Sequence, residues 1–553
     1  MNTLYYGDNL EILRKYVADE SVDLIYLDPP FNSQRAYNVI FQDKTGKAAA
    51  AQIQAFEDTW TWTPETQTTF DELMTGKYRP QLKDMMKAFR DFMGPSDLMA
   101  YLTMMAIRLV ELRRVLKETG SLYLHCDPTA SHYLKILLDR VFHYTNFRSE
   151  IIWKRTSAHD NPKRWGPVHD TLLFYSKSDT YIWNPTYQDY DADYLGVKYK
   201  KRDERGFFRL SDLTGAGITK GDSGKPWRNY DPSAIGRHWA VPRDEVIDLV
   251  GREKAAALTT QQKLDLLDKN GFIYWTPSGK YDGKGFPQFK RYLSTGMPIQ
   301  DIITDIFPIN SQAAERLGYP TQKPLSLLER IVQASSNEGD IMLDPFCGCG
   351  TAVVAAEKLH RRWIGVDITH LAISLIKKRM SDHFPDAKFE VIGEPKSVDD
   401  TLALFKQSPL QFESWAVSLI GGQPFKSSGG GDTGIDGLLY FQDGRGEFHR
   451  IIVEVKGGGY HPKDVRALKA VMDREDAPLG ILLALEKPTK GMLSESAALG
   501  KWNVPGTNRK CPILQIITIE DIFSGKRPDI PDTSETLKRA KREKRAKQQG
   551  RLL

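Results

Sequence analysis

The sequence predicts an α/β fold built on an open, doubly wound sheet. Three observations predict it. The apolar run Leu24-Ile25-Tyr26-Leu27 reads as a buried strand that runs straight into Asp28-Pro29-Pro30-Phe31. Two prolines cannot extend a sheet ladder, so the strand stops there with its φ angles fixed. Far downstream, Ile341-Met342-Leu343-Asp344 reads as a strand, Pro345-Phe346-Cys347-Gly348-Cys349-Gly350 as a glycine-containing turn, and Thr351 onward, through Ala352 to His360, as a helix. Finally, residues 1–180 alternate strand and helix signals, as such a sheet requires.

The elements follow in order. Gly7-Asp8-Asn9 opens a helix that Asp8 or Asn9 can cap. The strand ending at Asp28 comes next. Residues from about 40 to 95 interrupt the alternation and read as a helical insertion near that strand, equally a lid, a flap or a plain insertion. A long helix is expected over about 97–117, ended by Gly120. Ser121-Leu122-Tyr123-Leu124-His125, Ile151-Ile152-Trp153-Lys154 and Thr171-Leu172-Leu173-Phe174-Tyr175 read as strands. After the glycine turn and its helix, Trp363-Ile364-Gly365-Val366 forms another strand that ends at Asp367.

These positions carry chemistry. In open α/β sheets ligands bind at the C-terminal ends of the strands. Asp28, the Pro29 carbonyl and Phe31 together offer a carboxylate, a backbone acceptor and a flat ring, which fits a planar base with an exocyclic amino group. The turn lets backbone approach a ligand, and Asp367 can accept from ribose hydroxyls. The turn lacks the full GxGxxG, so an adenosyl ligand without phosphate fits better than a dinucleotide.

On these residues the chain resembles the amino-methyltransferases of DNA, which use S-adenosyl-L-methionine (SAM) to methylate N6 of adenine or N4 of cytosine. Asp28, Pro29, Pro30 and Phe31 match their catalytic motif. Asp344, Pro345, Phe346, Gly348, Gly350 and Thr351, with Asp367 beyond, match their SAM site. Thr321-Gln322-Lys323-Pro324 matches the segment that contacts the methionine end of SAM, through Thr321 and Lys323. The catalytic motif precedes the SAM motif, which resembles the permuted β-group order, where Gly7-Asp8-Asn9 also lines the pocket. The resemblance covers about 1–385 and implies a Rossmann-like domain with a mixed seven-stranded sheet. It divides into a catalytic half, 1–180, and a SAM-binding half, 307–385. Adenine is the expected base.

Residues 181–306 change character. Lys198-Tyr199-Lys200-Lys201-Arg202, Arg205-Gly206-Phe207-Phe208-Arg209, Pro226-Trp227-Arg228 and Gly236-Arg237-His238-Trp239 interleave cations with aromatics. Cations neutralise phosphates and arginines read guanine edges. The segment lies where the resembling family inserts its target-recognition domain, so Arg228, Arg237 and Trp239 are the expected DNA contacts.

A second chemistry follows an expected linker at 386–404. Gln411-Phe412-Glu413 starts a helix through Leu419, and Gly429 to Gly431 lead to Asp436 and the strand Leu438-Leu439-Tyr440-Phe441. On Ile451-Ile452-Val453-Glu454-Val455-Lys456 the side chains of Glu454 and Lys456 project together, since alternate strand residues share a face. Asp436 and Glu454 are hard oxygen ligands and Lys456 a cation, a set that suits Mg²⁺ activation of water for phosphodiester attack. Residues 405–525 resemble the PD-(D/E)xK nucleases, most closely the Mrr-like restriction group, and imply a C-terminal α/β restriction-endonuclease-like domain. The tail, 526–553, is strongly basic from Lys538 onward and is expected to be a loosely ordered helix with nonspecific DNA affinity.

Composition sets bounds. At 553 residues the chain holds several domains. A net charge of +5 makes any nucleic-acid surface a local patch. None of the four cysteines forms a Cys-x-x-Cys pair, which argues against a zinc knuckle or disulfide framework. Cys347 and Cys349 read as small packing residues. The start of the chain lacks a signal-peptide layout and no apolar run spans a membrane, so a reducing cytoplasm is the expected compartment. The expected partner is double-stranded DNA, with a homodimer as an option and no membrane. Two functions compete: a restriction–modification enzyme that methylates and cleaves, and an N6-adenine or N4-cytosine methyltransferase whose C-terminal domain is a non-cleaving DNA- or partner-binding module. Methylation of RNA or protein is a weaker third.

Overall fold

A computed structural model of the protein describes residues 1–30, 36–42, 48–57, 61–156, 165–190, 192–276, 286–294, 296–310, 313, 315–317, 321–425 and 434–531. Phe31, the glycine run at 429–431 and the basic tail from 532 lie outside them. The chain divides into two compact units, 1–184 with 300–553, and Pro185–Ile299. Among the described residues no helix is long and apolar enough to cross a membrane.

The first unit carries a nine-stranded mixed sheet. Its order is Ile302–Ile303, Phe147–Lys154, His169–Ser176, Leu116–Cys126, Val22–Leu27, Ile341–Asp344, Arg362–Asp367, Asn2–Tyr6 and Phe389–Ile392. Only His169–Ser176 runs against the others. The expected seven strands are present, and two short ones extend the edges. Phe389–Ile392 pairs in parallel with Asn2–Tyr6, so the stretch read as a linker is partly sheet. It then enters a capped helix, Val398–Gln407. Ile302–Ile303 pairs with Ile152 and Trp153, so the sheet reclaims the chain at about 300 rather than 307.

Helices cover both faces. Asp97–Val115 is largely buried, with Ser96 capping its first turn. The insertion after the catalytic strand is not only helical: an antiparallel pair, Ala36–Gln42 with Ala48–Glu57, precedes the helices Pro64–Thr75 and Pro80–Met93.

The same unit carries a five-stranded sheet in the order Gln423–Pro424, Gly437–Gln442, Phe448–Lys456, Leu479–Ala484 and Leu514–Thr518. The first three strands pair antiparallel and the last three parallel. Helix Pro409–Leu419 packs Phe412 and Trp415 on one face, and helix Pro462–Arg474 packs Val465, Leu468 and Met472 on the other.

The second unit centres on a four-stranded antiparallel sheet, Ile273–Trp275, Pro287–Tyr292, Gly206–Asp212 and Lys201–Asp203. Its core joins Leu213, Trp227, Trp239, Val246, Leu264 and Phe289.

Candidate active site

The strands Val22–Leu27 and Ile341–Asp344 are neighbours, and the chain leaves them toward opposite edges of the sheet. Such a switch point opens a crevice at the strand ends. A pocket opens there, lined by Gly7, Asp8, Asn9, Tyr26, Asp28, Pro29, Pro30, Thr321, Lys323, the turn from Asp344 to Cys349, Thr351 and Asp367. Residues from five separate stretches of sequence thus converge on one cavity.

The turn is built by its own hydrogen bonds. Asp344 accepts from the Phe346 amide at 3.0 Å. Burial, and then the charges of Asp28 and Asp367, hold its carboxyl well above the usual range. Asp367 accepts from the Gly348 amide (2.8 Å), the Thr369 amide (2.8 Å) and the Thr369 hydroxyl (2.8 Å). It therefore anchors the turn as well as lining the pocket. Gly350 stands at φ +75°, and a Cβ there would lie 2.6 Å from Ile376 Cγ1. Helix Thr351–Lys358 can start at that point only because the residue is glycine. Cys347 and Cys349 are buried and burial raises both thiols, so they remain neutral packing groups.

Asp8 caps helix Asn9–Tyr16 by accepting from Leu10 at 2.7 Å. Arg108, buried on helix Asp97–Val115, donates to Asp8 (2.7 Å) and Asn9 (2.6 Å). Asn9 in turn donates to the Pro345 carbonyl at 2.8 Å. Arg108 thus ties the first strand's exit to the ligand turn. No motif announces it; its one signal is a cation inside the apolar stretch from Met104 to Val110. The Asp28 carboxylate is paired with the Lys323 ammonium, both largely buried, and Lys323 also approaches the Thr321 carbonyl at 3.5 Å.

The fold brings the second constellation together as well. The Asp436 carboxylate accepts from the Val455 amide at 2.6 Å, which sets it beside the strand that carries Glu454 and Lys456. Lys456 Nζ lies 2.7 Å from Glu454 Oε1, while Glu454 Oε2 is buried without a hydrogen-bond partner. Burial, then the charges of Asp436 and Asp464, raise the Glu454 carboxyl against the opposing effect of Lys456. Asp464, at the start of helix Pro462–Arg474, is a further nearby carboxylate that the motif does not include.

The expected DNA contacts sit differently. Trp239 is 2% exposed, donates to the Lys225 carbonyl at 3.0 Å and packs edge-on against Trp227, so it is core and cannot stack on a base. Arg228 pairs with Asp268 at 2.6 Å and lies over the rings of Trp227 and Trp275. Arg237 is spent on the Thr214 hydroxyl and carbonyl, both at 2.8 Å. Cation–aromatic interleaving here builds the core of the unit. Trp239→Ala is therefore expected to cost the 185–299 unit about 3–5 kcal/mol of stability. A melting experiment on the full chain should show it as loss of a folding transition.

Fold and pocket define the class: a doubly wound α/β domain with a ligand-sized cleft at its switch point. Residues 22–378 match the family model described as DNA methylase, N6_N4_Mtase. The chain belongs to this DNA methylase family. Residues 410–521 match a family described as NACHT-associated inactive Restriction Endonuclease 1. Among curated relatives, the type II methyltransferase M.EcaI of Enterobacter cloacae is 29% identical over 384 residues, covering 69% of this chain and 69% of that protein. The Mod subunit of the type III restriction–modification enzyme StyLTI of Salmonella typhimurium is 24% identical, over 65% of this chain and 50% of its own length. The type II methyltransferase M.BamHI of Bacillus amyloliquefaciens is 24% identical, over 70% of this chain and 59% of its own length.

Proposed function

We propose that the protein is a site-specific DNA methyltransferase of a restriction–modification system, acting on the exocyclic amino group of a flipped-out base, most simply N6 of adenine. The observation that carries this reading is the juxtaposition of Asp28-Pro29-Pro30 with the turn and Asp367 in one pocket.

The pocket residues fit SAM. Asp367 retains acceptor capacity beyond its three anchoring bonds and offers it to a ribose. Thr321 and Lys323, which line the same pocket, would hold the methionine end. When bound, SAM supplies an electrophilic methyl on sulfur. The amino nitrogen of adenine is a poor nucleophile because its lone pair is delocalised into the ring. The Asp28 carboxylate and the Pro29 carbonyl accept its two hydrogens, which draws the nitrogen toward tetrahedral geometry and frees the lone pair. Phe31 would stack on the extruded base. Because Lys323 holds Asp28 in the absence of a base, the arriving amino group must share or replace that partner. Positioning then supplies most of the rate.

Incubation of the protein with labelled SAM and DNA, followed by nucleoside analysis, tests the reading. Label in N6-methyladenine supports it, label in N4-methylcytosine corrects the base, and unlabelled DNA overturns it. Asp367→Ala is expected to weaken SAM by about 1–3 kcal/mol, since it removes the ribose acceptor and unpins the turn. Calorimetry reads this directly.

Asp436, Glu454 and Lys456 support a second reading, that the C-terminal domain cleaves DNA. The matched family carries the word inactive in its description, whereas this chain retains two carboxylates and a lysine in one cluster. The unpartnered, buried Glu454 Oε2 fits a Mg²⁺ ligand, and Asp436 would be the other; a bound Mg²⁺ would supply an activated water. Target reading is assigned to the 185–299 unit. There Arg202 over Phe207 and the exposed Arg291 offer a basic surface in place of the buried Trp239 and the ion-paired Arg228 and Arg237.

A further inference from the structure

Behind the pocket runs a buried polar chain that the mechanism above does not use. Tyr26, on strand Val22–Leu27 just before Asp28, lines the pocket and is 2% exposed. Its hydroxyl lies 3.0 Å from Nδ1 of His125, which is fully buried on the adjacent strand Leu116–Cys126. His125 Nε2 lies 3.2 Å from Asp170, 2% exposed, whose other oxygen faces Arg155 at 3.2 Å. Trp153 packs edge-on against the imidazole. Three buried polar side chains in series are costly to place unless each is satisfied.

The protons in this chain can be assigned. Burial pushes the Asp170 carboxyl up, but the bond from His125 and the charges of Lys323 and Arg155 outweigh it and hold Asp170 low, so it is an acceptor only. Burial, then the charge of Lys323, keep His125 neutral. Neutral His125 must therefore carry its proton on Nε2, toward Asp170. Nδ1 is then bare and accepts the Tyr26 hydroxyl proton. The Tyr26 oxygen then has only lone pairs to offer the pocket that Tyr26 lines.

We infer that Tyr26 is a positioning residue that accepts a hydrogen bond from the α-ammonium of the methionine end of SAM, and that His125 and Asp170 lock it as an acceptor. The inference rests on the methyltransferase reading. Its geometry comes from the sheet. Asp367, the ribose acceptor, ends a strand two places from that of Tyr26. At roughly 4.8 Å per strand this is about 10 Å across the pocket. Tyr26 thus faces the end of the ligand away from the ribose, beside Asp28 and Lys323. The ammonium is the one cationic hydrogen-bond donor that SAM carries there, since the sulfonium has no proton to give.

The test compares two ligands by calorimetry on the full chain. S-adenosylhomocysteine has the amino-acid end and 5′-methylthioadenosine lacks it. Tyr26→Phe is expected to weaken S-adenosylhomocysteine about 10-fold or more and to leave methylthioadenosine unchanged. Asp170→Asn should shift affinity in the same selective way. Its amide can donate to Nε2, which moves the His125 proton to Nδ1 and turns the Tyr26 hydroxyl into a donor toward the pocket. Equal affinity for S-adenosylhomocysteine in both variants overturns the inference. Equal losses for both ligands also overturn it, because they mark a change of shape. If the wild type binds neither ligand, the methyltransferase reading itself fails and takes this inference with it.

Discussion

Asp28→Asn is expected to lower methyl transfer to DNA by about 10²–10⁴-fold, the range typical of a positioned acid–base group. The amide keeps the shape of the carboxylate but cannot take up charge or proton from the target nitrogen. SAM binding should remain close to wild type, because Asp367 and the turn act on the nucleoside and not on the base being methylated. The structure adds a second expectation. Asp28 is paired with Lys323, and both side chains are mostly buried. Neutralising one partner strands the other, which should cost up to about 3 kcal/mol of stability. The Asp28→Asn, Lys323→Met double variant should recover much of that stability and none of the activity. Unfolding curves and labelled-methyl transfer, measured on both variants and the wild type, separate the two roles. Near-normal transfer in Asp28→Asn would remove Asp28 from the chemistry.

What the sequence made legible was local. The strand–turn–helix around Asp344 and Gly350 can be read because the bonds within the turn itself join residues two to four apart, and because glycine marks where a left-handed residue is needed. Asp8 as a cap and the shared face of Glu454 and Lys456 follow from the same short-range geometry. What stayed hidden is tertiary. Arg108 reaches Asp8 and Asn9 across about a hundred positions, and Tyr26, His125 and Asp170 meet only when three strands align. Phe389–Ile392 is four residues at a sheet edge, too short a pattern to separate from a linker. The sharpest divergence is in the inserted unit. Arginines among tryptophans read as a nucleic-acid surface, yet the tryptophans form a core and the arginines lie at its edge, held by ion pairs. The pattern specifies cation–aromatic contact without saying whether the aromatic belongs to a base or to the protein.

If the C-terminal domain cleaves DNA, Lys456→Ala should abolish cutting in the presence of Mg²⁺ and leave methylation untouched. Glu454 and Lys456 share one face of their strand, with Asp436 held to it through the Val455 amide. In the free protein Lys456 neutralises Glu454; with a metal on Glu454 and Asp436, the ammonium would turn to the phosphate, where negative charge grows during attack. Removing it leaves the metal ligands in place but removes that stabilisation. The two sets of residues sit on different sheets, so methyl transfer should be insensitive to the change. The sharper consequence is genetic. A host that carries the intact gene depends on methylation to protect its own sites. Asp28→Asn alone should therefore be toxic, and Asp28→Asn with Lys456→Ala should not. Toxicity that disappears only when Lys456 is also changed would tie both sites to one restriction–modification function. If purified wild type cuts neither methylated nor unmethylated DNA with any divalent metal, and Asp28→Asn is harmless, the domain binds without cleaving and the cluster around Glu454 has another use.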